Sequence, residues 1–322
     1  MKSLKAFTLI ELLVVIAILA MLLGILTPAL NKARDAARTI VCKAHMRPFG
    51  IGIATYAMDH DDFLAGPNTS GYQLTRNNVT AAHGATSPVQ NVDWISPMLG
   101  DSLGLSPDRK TRIREIFDTQ LRCPSNTARF DFEYAGSGGG LFDETHIQTM
   151  TAASYSASMA FHVYSISDGF SGSVAINEAV ANQVYLPRRY VPRLSAIGRP
   201  ASKIYAFDGT RYIDSDGRIS FNSFAKQIQG GNYMGYGPVT PRSGDPFRWT
   251  SFTDPQFDDA GITQRFGYRH GGRINVVFFD GRVETLTLEE SLDVRYYFPS
   301  GSTVRRGRWT YDINAQDGQV IR

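Results

Sequence analysis

The feature that most constrains this chain is an apolar stretch from Phe7 to Leu26, which is interrupted by one carboxylate at Glu11. Twenty residues in an α-helix rise about 30 Å, which matches the hydrocarbon core of a bilayer. A charge at the bilayer centre costs about 3 kcal/mol on insertion scales. The sequence therefore predicts a membrane-spanning helix in which Glu11 needs a specific reason to be present.

The charges that flank the stretch give opposing indications of its orientation. Lys2 and Lys5 precede it and favour a cytoplasmic N-terminus. Beyond it, one acid, Asp35, stands among five basic residues: Lys32, Arg34, Arg38, Lys43 and Arg47. Charge counting alone favours the reverse orientation, so the flanking charges leave the orientation open.

Two plainer interpretations account for only part of this stretch. A secretory signal peptide ends at small residues in an Ala-x-Ala pattern, and Thr27–Asn31 matches that pattern poorly. An ordinary single-span anchor explains the apolar residues but leaves Glu11 unexplained.

The residues at the start of the stretch resemble a known processing signature. Lys5-Ala6-Phe7-Thr8-Leu9-Ile10-Glu11 is similar to the N-terminal signature of type IV prepilins and type II secretion pseudopilins. The resemblance implies that prepilin peptidase cleaves between Ala6 and Phe7, that Phe7 becomes N-methylated and that Glu11 acts in assembly. Ala6 stands where the family usually has glycine, and alanine is the mildest replacement.

The same resemblance implies a function, partners and a location. We expect a structural subunit of a type IV pilus-like or type II secretion pseudopilus-like filament, with no enzymatic activity. Its partners would be prepilin peptidase, other pilin or pseudopilin subunits, the inner-membrane assembly machinery and the lipid bilayer. It would cross the inner membrane once, with its N-terminus inside and its C-terminus outside, before it enters a periplasmic or cell-surface filament.

In such a filament, the amino terminus of a neighbouring Phe7 would pair with Glu11 and set the stagger between subunits. No nucleic-acid partner is expected, because 33 basic and 30 acidic residues are too balanced to form a strongly basic groove.

The chain divides into four predicted segments. Residues 1–6 form the leader, 7–30 the transmembrane and assembly helix, 31–62 an amphipathic continuation, and 63–322 an extracytoplasmic globular domain. Pro28 predicts a kink, because an interior proline removes a backbone hydrogen bond; the alternative is that the helix ends there. Helical spacing of apolar residues resumes at Leu30 and favours the kink.

In the globular region, two of the Asp-Gly pairs lie between β-rich segments, which indicates tight two-residue hairpins. They are Asp208-Gly209 and Asp280-Gly281, and the second defines a C-terminal hairpin at 273–288. One helix is predicted from about Asp108 to Asp118. The expected fold is α+β and pilin-like, with the back half of the long helix packed on an antiparallel sheet.

His270, nine residues and then Asp280-Gly281 resemble a His-x9-Asp-Gly motif found at the carboxyl end of one large group of prepilin-type proteins. A catalytic role would need a nucleophile placed beside its base, and the sequence supplies none. We therefore interpret His270, Asp280 and Gly281 as structural and predict no catalytic residue.

Cys42 and Cys123 are the only cysteines. In an oxidising compartment they could form a disulfide that stabilises the fold by about 2 to 4 kcal/mol, although two buried free thiols remain an alternative.

No cofactor and no metal ligand are predicted. Calcium is a minor alternative at Asp214–Gly217 or Asp59–Asp62, neither of which has the complete spacing of a calcium loop.

A different class of function is also open, namely a membrane-anchored surface module that binds polysaccharide. Aromatic residues could stack on sugars, although such residues more often pack in a core. The candidates are Tyr233, Tyr236, Trp249 and Trp309.

Overall fold

A computed structural model of the chain describes residues 8–66, 84–90, 93–134, 140–165, 184–209, 218–222, 234–235, 267–304 and 316–322. The α-helices are α1 (Leu9–Asp59), α2 (Ile95–Leu99), α3 (Arg109–Arg114), α4 (Glu144–Thr149) and α5 (Leu288–Ser291). The strands are β1 (Phe132–Tyr134), β2 (Tyr155–Ser158), β3 (Val184–Tyr185), β4 (Ile204–Asp208), β5 (Ser220–Asn222), β6 (Met234–Gly235), β7 (Ile274–Phe278), β8 (Val283–Leu286) and β9 (Thr303–Val304). The predicted α+β architecture, with a long N-terminal helix and an antiparallel sheet, is confirmed.

Helix α1 is continuous through Pro28 and Pro48. The alternative that the helix ends at Pro28 is therefore wrong. The helix begins after Thr8, whose hydroxyl oxygen accepts a hydrogen bond from the backbone N–H of Glu11 at 3.3 Å. The Glu11 carboxylate in turn accepts from the backbone N–H of Thr8 at 2.9 Å. This reciprocal pair is a capping box, which satisfies two N–H groups that a helix start leaves unpaired.

The two halves of α1 have different surroundings. From Leu9 to Leu30 the large apolar side chains are exposed, and α1 is the one helix among the described residues that is long and apolar enough to cross a membrane. In the back half a single face is buried, with members spaced three or four residues apart: Cys42, Met46, Phe49, Ile53 and Tyr56. This spacing places them along one side of the helix.

The back half of α1 packs on a five-stranded sheet in the order β6-β2-β4-β7-β8. The pairs β2–β4, β4–β7 and β7–β8 are antiparallel, and β6 joins the edge at β2 in parallel. Phe49 of α1 contacts Trp94 and Tyr155 edge to face, with ring centroids 5.0 and 5.3 Å apart. Aromatic packing thus connects the helix to the core.

The C-terminal hairpin predicted at 273–288 is confirmed, since β7 pairs with β8 from Ile274–Leu286 to Val277–Val283. Its turn has three residues rather than two. Gly281 N–H donates to the carbonyl of Phe278, and Phe278 N–H donates to the carbonyl of Arg282, both at 2.9 Å. This turn needs one residue at positive φ, supplied by Gly281 at 85°, whereas a two-residue turn of type I′ needs two.

The other predicted hairpin, at Asp208-Gly209, is wrong. Strand β4 pairs with β2 along one edge and with β7 along the other, so no edge is left for the residues that follow Gly209. All five residues of β4 are buried, as expected for a central strand. Residues 210–217 lie outside the described part of the chain.

The helix predicted from Asp108 to Asp118 is confirmed. The Asp108 carboxylate accepts from the backbone N–H of Thr111 at 2.9 Å and so caps α3. A π-helical turn continues the element through Glu115–Thr119.

His162, fully buried after β2, predicts a loss of stability in acid. Its Nδ1 donates to the Ala65 carbonyl at 2.6 Å, and burial lowers the pKa of His162 to about 4. The unfolded chain, with an ordinary histidine pKa of about 6.5, binds the proton more readily. Stability is therefore complete above about pH 6.5 and decreases by about 3 kcal/mol as the pH falls towards 4.

Denaturant unfolding of the wild type and of His162→Gln across this pH range measures the effect. Glutamine keeps a donor for Ala65 but does not titrate. Carboxylates contribute equally to both proteins, so identical pH slopes for the two would contradict the assignment.

Candidate functional site

The N-terminal site residues predicted from the signature are only partly described. Ala6 and Phe7 lie outside the described residues, and Glu11 is exposed at the first turn of α1. Its carboxylate also accepts from the Thr8 hydroxyl at 2.7 Å. Sequence reasoning missed this capping role, although Thr-x-x-Glu before an apolar stretch is its usual signal.

Several of the residues discussed in the sequence analysis lie close together near the back half of α1. Cys42 of α1 forms a disulfide with Cys123, which follows α3, and both residues are fully buried. His270 lies beside this bond, with its Nε2 3.6 Å from Cys123 Sγ and 3.2 Å from Asp208 Oδ2. We call Cys42, Cys123, His270 and Asp208 the disulfide cluster.

Each polar member of the disulfide cluster has further partners. His270 Nδ1 is 3.1 Å from the hydroxyl oxygen of Thr39, one turn before Cys42 on α1. Asp208 Oδ2 accepts from the backbone N–H of Asn275 at 2.8 Å. Asp208 Oδ1 lies 3.5 Å from Nη2 of Arg269, which also donates to the Ser154 carbonyl. The cluster therefore connects α1, β4, β7 and the residue that precedes β2.

Opposite charges are paired within this arrangement. The side chains of Arg269 and Asp208 are 2% and 0% exposed, so each would carry a large desolvation cost alone. As a pair they bring opposite charges together in the same buried region. The two other nitrogens of Arg269, Nε and Nη1, have no hydrogen-bond partner among the described residues.

The arrangement does not resemble a hydrolytic centre. A nucleophile needs a free thiol and access to a substrate, whereas Cys123 is disulfide-bonded and His270 is buried. His270 and Asp280 do not come together, because they lie at opposite ends of β7. Asp280 accepts from the backbone N–H of Arg282 at 3.0 Å within the turn. The acid that contacts His270 is Asp208, for which the sequence predicted a hairpin turn.

The other end of the His-x9-Asp-Gly motif also touches α1. A Cβ atom built on Gly50 would lie 2.4 Å from the Cα of Gly281, so the two backbones are in direct contact. We call this pair the glycine contact. Thr39 and Gly50 are eleven positions apart, about 16 Å along the helix. The motif therefore holds β7 against α1 at two separate points.

Of the candidate calcium ligands, Asp62 has another partner, and one of the two candidate segments is not described. Asp62 accepts from the backbone N–H of Ser195 at 3.1 Å, which ties the end of α1 to a distant loop. Asp214–Gly217 lies outside the described residues. So do the aromatic candidates for sugar binding: Tyr233, Tyr236, Trp249 and Trp309.

The exposed apolar helix, the capped carboxylate at its start and the sheet packed on its back half are consistent with a type IV pilin-like protein. A family model described as "Prokaryotic N-terminal methylation motif" matches residues 1–27. A second, described as "Protein of unknown function (DUF1559)", matches residues 31–295, and the chain belongs to this family. No curated protein and no solved structure matches the chain.

The glycine contact predicts opposite outcomes for two glycines of the same helix. Gly50→Ala should lower the free energy of unfolding by about 1 to 3 kcal/mol, because backbone atoms must separate to admit the methyl group. Gly24→Ala should not lower the free energy of unfolding, because no atom lies within 4 Å of a Cβ built at Gly24 and alanine has a higher helix propensity than glycine.

Denaturant unfolding in detergent, followed through the fluorescence of the globular domain, compares the two variants. Equal stabilities for Gly50→Ala and Gly24→Ala would show that α1 and the Gly281 turn are not in close contact.

Proposed function

We propose that this protein is a non-enzymatic structural subunit of a type IV pilus-like or type II secretion pseudopilus-like filament. Prepilin peptidase would remove residues 1–6, Phe7 would be methylated, and subunits would associate through their N-terminal helices. The observation that carries this proposal is the asymmetry of α1. Its front half exposes an apolar surface, and its back half packs on the sheet and is covalently attached to the segment that follows α3.

The exposed front half explains why the subunit would assemble. Large side chains from Leu9 to Leu30 are 46% to 81% exposed, which a chain in water would not tolerate. Lipid can cover this surface before assembly, and neighbouring helices can replace lipid afterwards through close packing. The attached sheet then stays on the outside of the helical core.

Glu11 would act in two stages. In a single chain, its carboxylate is bonded to the backbone N–H and the hydroxyl of Thr8. In a filament, the positive amino terminus of a neighbouring Phe7 would provide a charged partner in a water-poor core. A misplaced neighbour would leave a charge unpaired, so this pairing would select one stagger.

The proposal also includes the location and the partners. The front half of α1 would lie in the inner membrane with its N-terminus on the cytoplasmic side, where prepilin peptidase and the assembly machinery act. Lys32, Arg34 and Arg38 would then lie just beyond the span and contact headgroups or a neighbouring subunit.

Intact-mass analysis of the protein from its native cell tests the processing step. We expect a mass that corresponds to residues 7–322 with one added methyl group. A chain that retains Met1, or one cut beyond Pro28, would refute the proposal.

Two substitutions separate the charge of Glu11 from its cap. Glu11→Gln keeps an oxygen that can accept from Thr8 N–H but removes the charge, whereas Glu11→Val removes both. If charge pairing sets the stagger, both variants should lose most inter-subunit crosslinks between cysteines placed on the exposed face of α1. Wild-type crosslinking by Glu11→Gln would assign Glu11 to capping alone.

A further inference from the structure

The disulfide cluster brings three donor atoms together in a buried region, with a carboxylate beside one of them. The two Sγ atoms and a ring nitrogen of His270 lie within 4.8 Å of one another. The Asp208 carboxylate approaches the same ring nitrogen. Two thiolates, an imidazole and a carboxylate are a donor set that suits zinc.

Two distances in the cluster match edges of a tetrahedral zinc site. Zinc bonds of about 2.3 Å to sulfur and about 2.05 Å to nitrogen place those two atoms about 3.5 Å apart. Cys123 Sγ and His270 Nε2 are 3.6 Å apart. The corresponding oxygen–nitrogen edge is about 3.3 Å, and Asp208 Oδ2 and His270 Nε2 are 3.2 Å apart.

The surroundings of the donor atoms are those of a supported metal site. Zinc-bound histidines commonly donate their other ring N–H to an oxygen that fixes the tautomer. Thr39 Oγ1 occupies that place, 3.1 Å from His270 Nδ1. The backbone N–H of Asn275 and the guanidinium of Arg269 hold Asp208.

The net charge of the site is the same whether it holds a disulfide or a divalent metal ion with two thiolates. One divalent cation and two thiolates sum to zero, as does a disulfide. The Arg269–Asp208 pair adds no net charge in either state. The cysteine Cα atoms are 5.0 Å apart, so rotation of the two side chains can separate the sulfurs without moving α1.

We propose that, before the cysteines are oxidised, the disulfide cluster is a closed tetrahedral site for a thiophilic divalent cation such as Zn²⁺. The ligands are Cys42, Cys123, His270 and Asp208. Binding releases the two thiol protons, and a disulfide-bearing oxidant that later takes two electrons from the thiolates forms the Cys42–Cys123 bond and expels the ion. This departs from our sequence-based expectation of no metal ligand. Cys42 of α1 is joined to Cys123 in both states.

Cobalt titration of the full-length protein in detergent tests the proposal. The protein is reduced with a phosphine, freed of metal and titrated with Co²⁺. We expect one equivalent to give a thiolate-to-cobalt charge-transfer band and the intense visible bands of tetrahedral cobalt. Zn²⁺ should displace the cobalt and raise the Tm of the reduced protein. Protein with the disulfide intact should give neither band.

Substitutions assign the ligands. His270→Ala and the double variant Cys42→Ser/Cys123→Ser should lose the tetrahedral spectrum. His270→Cys should retain it with a stronger charge-transfer band, because a third thiolate replaces the imidazole. His60→Ala, which changes an exposed histidine at the end of α1, is the matched control and should bind as the wild type does.

Circular dichroism of each reduced protein records whether it is folded before cobalt is added. A reduced chain that unfolds without metal should refold on addition of Zn²⁺, because binding and folding are then coupled. The proposal is overturned if the reduced wild type gives no tetrahedral thiolate spectrum, or if His270→Ala gives the same one.

Discussion

The attachment of α1 to the sheet is the constraint on which the rest of this structure depends. A helix whose front half is an exposed apolar surface cannot be positioned by that half, so the back half must define where the globular domain lies. Three contacts position the back half: the disulfide, His270 beside the disulfide, and the backbone contact between Gly50 and Gly281. Each of these contacts joins segments far apart in sequence.

The His-x9-Asp-Gly motif acquires a physical explanation from this attachment. His270 precedes β7, and Gly281 lies in the turn that follows it. At one end of the motif, His270 makes polar contacts with Thr39 and Asp208. At the other end, Gly281 packs directly on Gly50, because neither residue has a side chain. Both ends contact α1, so the motif specifies how a strand lies against a helix.

The sequence predicted the elements that depend on local chemistry. The apolar length of α1, the helix that starts near Asp108 and the presence of a turn at Asp280-Gly281 all follow from residues close together in the chain. The Thr8–Glu11 cap has an equally local signal, which was overlooked because the rarity of a carboxylate in an apolar stretch suggested only an external partner.

What the sequence could not predict depends on pairing across long separations. Asp208 has the local appearance of a turn residue, but β2 and β7 occupy both edges of its strand and make it a buried partner of His270. The packing of Gly50 against Gly281 likewise cannot be inferred from neighbouring residues, because a glycine within a helix usually indicates only a less stable helix. Such positions become interpretable only once the sheet order is known.

The covalent bond between α1 and the segment after α3 has a mechanical consequence. If the front half of α1 were pulled along its axis while the globular domain was held, the tension would pass through Cys42 into the domain. The load would then reach a covalent bond before it reached the hydrogen bonds of β4 and β7. A subunit built in this way resists being stretched apart, whereas one that relied on side-chain packing alone would yield by letting its helix slide.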